Sequence, residues 1–142
     1  MADNDYSELI FVFDSLKRNQ YLNYLLSTDG KIIENIAKIY NYAMFNIGNR
    51  PIIVQRQDKD NKIFGEIWAI SKERLLLLDQ MYCFNHVKRK IEAFRLDNDK
   101  HYNVIVYEFR YVVADITRQV QSGSWNGDHS ILWINVYLYM DL

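Results

Sequence analysis

Residues 11–26 read FVFDSLKRNQYLNYLL, an apolar run that breaks into a polar turn and then into a helical repeat. Residues 7–13 suit a short buried strand, and residues 14–18 form the turn that leaves it. Tyr21, Tyr24, Leu25 and Leu26 recur at helical spacing, while Ser27, Thr28, Asp29 and Gly30 are turn residues that end this helix after one or two turns.

Outward from there, residues 31–42 carry Ile32, Ile33, Ile36, Ile39 and Tyr40, a pattern that fits helix and strand alike. In KIFGEIWAI, residues 62–70, Phe64, Glu66, Trp68 and Ile70 alternate with Ile63, Gly65, Ile67 and Ala69, as in a central strand buried on much of both faces. Ser71 then offers a hydroxyl to the free amides of a new helix, SKERLLLLDQM, and Glu73 suits its positive end. His86, Lys88, Lys90 and Glu92 alternate with Val87, Ile91 and Ala93, and NVIVYEF, residues 103–109, follows a turn at Asp97, Asn98 and Asp99. The two segments read as an antiparallel hairpin. Residues 112–121 suit a short helix, residues 122–128 a loop, and ILWINVYLYM, residues 131–140, a late strand. That strand is apolar on both faces, so it belongs inside the sheet or in a subunit contact.

The chain has 142 residues, enough for one domain, and no repeat, low-complexity tract or linker. Hydrophobic residues make up 49% and charged residues 25%, the balance of an ordinary globular chain. A formal net charge of −1 provides no basic field for duplex nucleic acid. The single cysteine, Cys83, excludes an internal disulfide, and the first ten residues lack the pattern of a signal peptide. Both point to a reducing cytoplasm and no membrane. The chain is rich in Ile, Asn, Lys and Tyr, with one Pro and five Gly, the bias of AT-rich genomes such as those of phages and low-GC bacteria.

Residues 11–26 resemble FVYGTLKRGQxNxxLL, the opening signature of the γ-glutamylcyclotransferase-like (AIG2-like) family. LLLLDQMYCF, residues 75–84, is similar to the family's LxxLDxxEGY. AMFNIGNRPIIV at 43–54 resembles xMYDLGxYPALV, GEIWAI at 65–70 resembles GEVYxV, VIVYEF at 104–109 resembles WVYVY, and SGSW at 122–125 resembles SGDW. Their order and spacing carry more weight than any one of them. The resemblance implies an α+β fold, a small mixed β-barrel flanked by short helices, with one cavity for a γ-glutamyl group. It makes residues 31–42 a strand, and the segment at about 130–142 an addition to the family's plan.

The same resemblance makes the Glu of LxxLDxxEGY the general acid/base of cyclotransfer, in which the substrate's α-amine attacks its own γ-carbonyl. That position is Tyr82, and a free phenol with a pKa of about 10 is a poor base at neutral pH. The family's loop after the first strand cradles the α-carboxylate, and there Asp14 replaces a Gly, adding bulk and negative charge. Cys83 and Phe84 also depart from the family's Gly and Tyr, whereas Ser15, Leu16, Lys17 and Arg18 match.

The expectation is a non-catalytic domain with a pocket formed by Phe13, Asp14, Ser15, Leu16 and Tyr82, holding a small ligand, or a surface meeting a protein partner. A homo-oligomer through the C-terminal strand is one form of the latter. The alternative is a cyclotransferase releasing 5-oxoproline with Glu66 or Asp79 as substitute acid/base. Asp79 equally reads as a turn anchor, Glu66 as a satisfied buried partner, and Lys17 and Arg18 as a solvated turn. His86, His101 and His129 have no ligand spacing with Cys83 and read as polar surface, so neither a metal nor another cofactor is expected.

Overall fold

The computed structural model describes residues 8–14, 16–18, 20–47, 50–57, 61–97, 100–111, 119–120 and 122–125. In chain order these form β1 (Glu8–Val12), α1 (Tyr24–Ser27), β2 (Lys31–Tyr40), β3 (Tyr42–Ile47), β4 (Arg50–Gln55), β5 (Lys62–Ile70), α2 (Lys72–Tyr82), β6 (His86–Arg95) and β7 (His101–Phe109). Most of the helix expected over 112–121, and the strand expected at about 130–142, lie outside the described residues. Gln119 itself makes an isolated antiparallel bridge with Phe45.

Five strands close into a barrel in the order β1-β5-β2-β6-β7, and β3 and β4 form a separate two-stranded sheet. The barrel is mixed: β1 meets β7 in parallel at Ile10 and Ile105, while the other barrel ladders are antiparallel. β5 lies between β1 and β2, and both of its faces are apolar because each packs in its own apolar cluster. Period-two alternation then sorts the side chains. Phe11, Ile39, Ile63, Ile67, Val104 and Val106 pack in one cluster, whereas their strand neighbours Ile10, Val12, Trp68, Ile70 and Ile105 pack with Leu26, Leu75, Leu78 and Tyr82. The first cluster fills the barrel, and the second seats α2 on its wall. Gly65 lets β1 and β5 approach closely, since a Cβ there would lie 2.3 Å from the Val12 carbonyl oxygen.

Two features set where the site forms. Residues 31–42 are not one strand: Asn41 adopts a φ of 68°, and this left-handed residue turns the chain out of the barrel into the β3–β4 hairpin. Asn tolerates that region better than most residues, and the turn is held by Asn41 N–H donating to Asn61 O and Arg56 N–H donating to Asn41 O. Second, α2 starts where the sequence places it, with Arg74 N–H donating to Ser71 Oγ at 3.1 Å. Its buried residues Leu75, Leu78 and Tyr82 follow the 3.6-residue period, so the last of them is aimed at the barrel end. Ser71→Ala is expected to cost about 1 kcal/mol, the usual worth of such a cap, and thermal unfolding should show it as a loss of a few degrees.

Candidate functional site

The turn after β1 and the end of α2 meet. Tyr82 Oη donates to Asp14 Oδ2 at 3.0 Å, and Leu16 N–H donates to Asp14 Oδ1 at 3.1 Å. The second bond makes the turn a local Asx motif, with Lys17 N–H also donating to Asp14 O. Phe13, Asp14, Leu16 and Tyr82 are all buried and line one small cavity with Tyr107 and β1 residues. Its volume is about 10 Å³. Ser15, the fifth residue expected here, lies outside the described residues.

Three further side chains surround Tyr82. Its ring stacks on Tyr107 with centroids 4.5 Å apart and meets His86 edge-on at 4.9 Å. The Arg50 guanidinium carbon is 5.7 Å from its centroid. Burial, chiefly, pushes the Asp14 carboxyl up from its ordinary range, although the Leu16 amide, Arg50 and Tyr82 all pull it down. Burial and the Asp14 charge raise the Tyr82 phenol well above its usual value. His86, which the alternation of its strand placed on the surface, is buried instead; burial and then Arg50 depress it to about 3, so its ring is neutral. Its Nδ1 has no hydrogen-bond partner among the described residues.

The two carboxylates named as substitutes lie elsewhere. Glu66 Oε1 accepts from Arg18 N–H at 2.9 Å and from Trp68 Nε1–H at 3.0 Å, and Oε2 is 3.7 Å from Arg18 Nε. Asp79 accepts from Tyr107 Oη at 2.5 Å and pairs with Lys88 at 3.1 Å. Neither lines the cavity beside Tyr82. Lys17, read as part of a solvated turn, donates through Nζ to Trp125 O at 2.6 Å, which ties the first loop to the SGSW segment. Gly123 of that segment has a φ of 71° and accepts from Phe64 N–H. Among the described residues no group of three or more His, Cys, Asp or Glu side chains is placed to hold a metal, and no helix is long and apolar enough to cross a membrane.

The profile of the γ-glutamyl cyclotransferase, AIG2-like family matches residues 10–127. The chain belongs to that family. Solved structures agree on the fold. An AIG2-like protein from Mus musculus superposes with a TM-score of 0.71 at 17% identity, over 84% of this chain and 88% of that one. The uncharacterized protein PH0828 from Pyrococcus horikoshii gives 0.63 at 18% identity, over 83% and 89%. YkqA from Bacillus subtilis gives 0.69 at 19% identity, over 83% of this chain but only 39% of that longer one. No protein of curated function matches the chain.

Asp14 and Tyr82, two of the residues that the sequence reading set apart from the resembled signature, are hydrogen-bond partners in the fold. Arg50 and Tyr107 were not singled out from the sequence, and His86 was read there as polar surface. Arg50 lies in the quoted hairpin motif, but no local pattern shows that the hairpin returns to the end of α2.

Proposed function

We propose that this member of the γ-glutamylcyclotransferase-like family is a pseudoenzyme that does not perform cyclotransfer and acts by binding a small ligand or a protein partner. The observation that carries the reading is the bond between Tyr82 and Asp14 across the end of the barrel. A ligand pocket occupies about 300–1,000 Å³, whereas the space beside these two residues is about 10 Å³, on the scale of one water. Cyclotransfer also needs a base to take the ammonium proton and an acid to hand one to the leaving amine. A phenol driven further from neutrality by burial and by a neighbouring carboxylate serves neither step.

Substitution by Glu66 or Asp79 is the weaker reading, because each spends its oxygens on fixed partners. The reading also keeps one domain over residues 1–142, a reducing cytoplasm compatible with the exposed thiol of Cys83, and an AT-rich, phage-like source in keeping with the composition. A homo-oligomer formed through residues 130–142 is one form of the protein-partner option.

The test is a product assay for 5-oxoproline at high protein concentration, with γ-glutamyl amino acids and γ-glutamyl amines as substrates. No product above the uncatalysed background is expected. Turnover within tenfold of about 10 s⁻¹, a common enzyme rate, would overturn the proposal.

A further inference from the structure

The β3–β4 hairpin has one edge with no strand partner among the described residues. In an antiparallel ladder, facing pairs alternate between pairs that exchange both backbone bonds and pairs whose N–H and C=O groups turn outward. Arg56 N–H donates to Asn41 O, which marks Asn41 and Arg56 as a bonded pair. The register then makes Ala43 with Val54 and Phe45 with Ile52 bonded pairs, and turns Met44 and Ile53 outward on opposite sides. Met44 O does accept from Val120 N–H on the far side of β3, where Phe45 also bridges Gln119. β4, by contrast, has β3 as its only ladder partner among the described residues. Yet Ile53 is 0% exposed, so its outward N–H and C=O lie out of reach of bulk water. Buried backbone groups are nearly always hydrogen-bonded.

We propose that residues 131–140, ILWINVYLYM, pair with this edge as a further strand of the hairpin sheet, within the same chain. The first argument is the match of faces. Ile53 packs in the barrel cluster, whereas Ile52 and Val54 pack on the opposite face with Ala43 and Phe45. A strand beside β4 continues two apolar layers, so it needs apolar side chains at odd and even positions alike. Residues 131–140 have them, with Ile131, Trp133, Tyr137 and Tyr139 on one parity and Leu132, Ile134, Val136, Leu138 and Met140 on the other. Residues 112–118, VVADITR, do not: they carry Asp115, Thr117 and Arg118 and lead to the bridge on the β3 side. The pairing is short and centred on Ile53, because Pro51 has no N–H to give and Gln55 O already accepts from Arg56 Nη1 at 2.9 Å.

The second argument is reach. Trp125 belongs to the same apolar cluster as Ile53, and its carbonyl is fixed by Lys17 Nζ at 2.6 Å. The connecting residues 126–130, NGDHS, are mostly turn formers and span up to about 17 Å when extended. There is also room at the end of the edge. Beside Gln55 a groove of about 650 Å³ lies between the hairpin and Ile91 and Phe94 of β6, and a strand laid along β4 runs into it.

The inference selects a seat within one chain over an oligomer for residues 131–140, and it is independent of whether the Tyr82 end of the barrel turns over a substrate. NMR of the full chain tests it. The Ile53 N–H is expected to exchange with solvent at least about 10³-fold more slowly than a free amide. Its backbone protons are expected to show cross-strand Overhauser contacts with a residue of 131–140, and a sample mixing labelled and unlabelled chains should show that these arise within one chain. An Ile53 amide that exchanges freely overturns the inference, as does slow exchange without a contact from Ile53 to residues 131–140. Contacts found only between chains overturn it too, since they describe a strand-swapped dimer. Each of these results leaves the 5-oxoproline assay to judge the other proposal.

Discussion

A chain carrying both Tyr82→Glu and Asp14→Gly is expected to form 5-oxoproline from γ-glutamyl amines at least about 10²-fold faster than the unmodified chain, since a placed acid/base group contributes about 10²–10⁴ in rate. The pair has to change together. Tyr82→Glu alone sets a second carboxylate against a buried one, and like charges at that distance keep one of them protonated. Asp14→Gly alone leaves the Tyr82 ring stacked on Tyr107, filling the space, and deprives its buried hydroxyl of an acceptor. The effects of the single changes are therefore expected to be far from additive, as for any two groups in direct contact. A single-turnover product assay on the four chains of the cycle, with melting curves to show that each is folded, makes the comparison. If the folded double variant is no faster than its parent, the departure from the family pocket extends beyond these residues. Arg50, His86 and Tyr107, packed around the same ring, are then the groups that hold it closed.

What the sequence made legible was local. β5 was readable because alternation over nine residues, both faces apolar, has few other solutions, and α2 because Ser71 and Glu73 mark its start. The β6–β7 hairpin was readable from its turn residues. The break at Asn41 was not, because the apolar pattern runs through it and only the left-handed backbone interrupts the strand. Neither was the bond between Asp14 and Tyr82, which are 68 residues apart. The sequence reading set both residues apart from a resembled signature, and only the packing shows that they are bonded to each other. Burial of His86 was hidden for a similar reason. Its neighbours Lys88 and Lys90 are exposed, and the wall that covers His86 comes from Tyr82 and Phe109.

The burial of Asp14 has a pH signature that Asp14→Asn is expected to erase. Its pKa in the folded chain is raised above 3.8, so across that window the folded state holds the proton more tightly than the unfolded one. Stability from this group is therefore greatest below the unfolded pKa and falls as pH rises through the folded value. His86 acts in the opposite sense: depressed from 6.5 to about 3, it is neutral when folded and protonated when unfolded, so its contribution is lost as pH falls through that range. The two partly cancel in the parent's own profile. They separate in the difference between parent and Asp14→Asn, where His86 is common to both. That difference should move in favour of the Asn variant as pH rises from about 4 towards neutrality, because Asn keeps an acceptor for the Leu16 amide without a buried charge. Tyr82→Phe should do the reverse. It strips a donor from the buried carboxylate, costing about 1–3 kcal/mol at neutral pH, and steepens the loss of stability with rising pH. Urea unfolding at stepped pH measures both. Parallel profiles for parent and Asp14→Asn would mean that the carboxylate is hydrated in solution, and a hydrated Asp14 cannot be closing the barrel end with Tyr82.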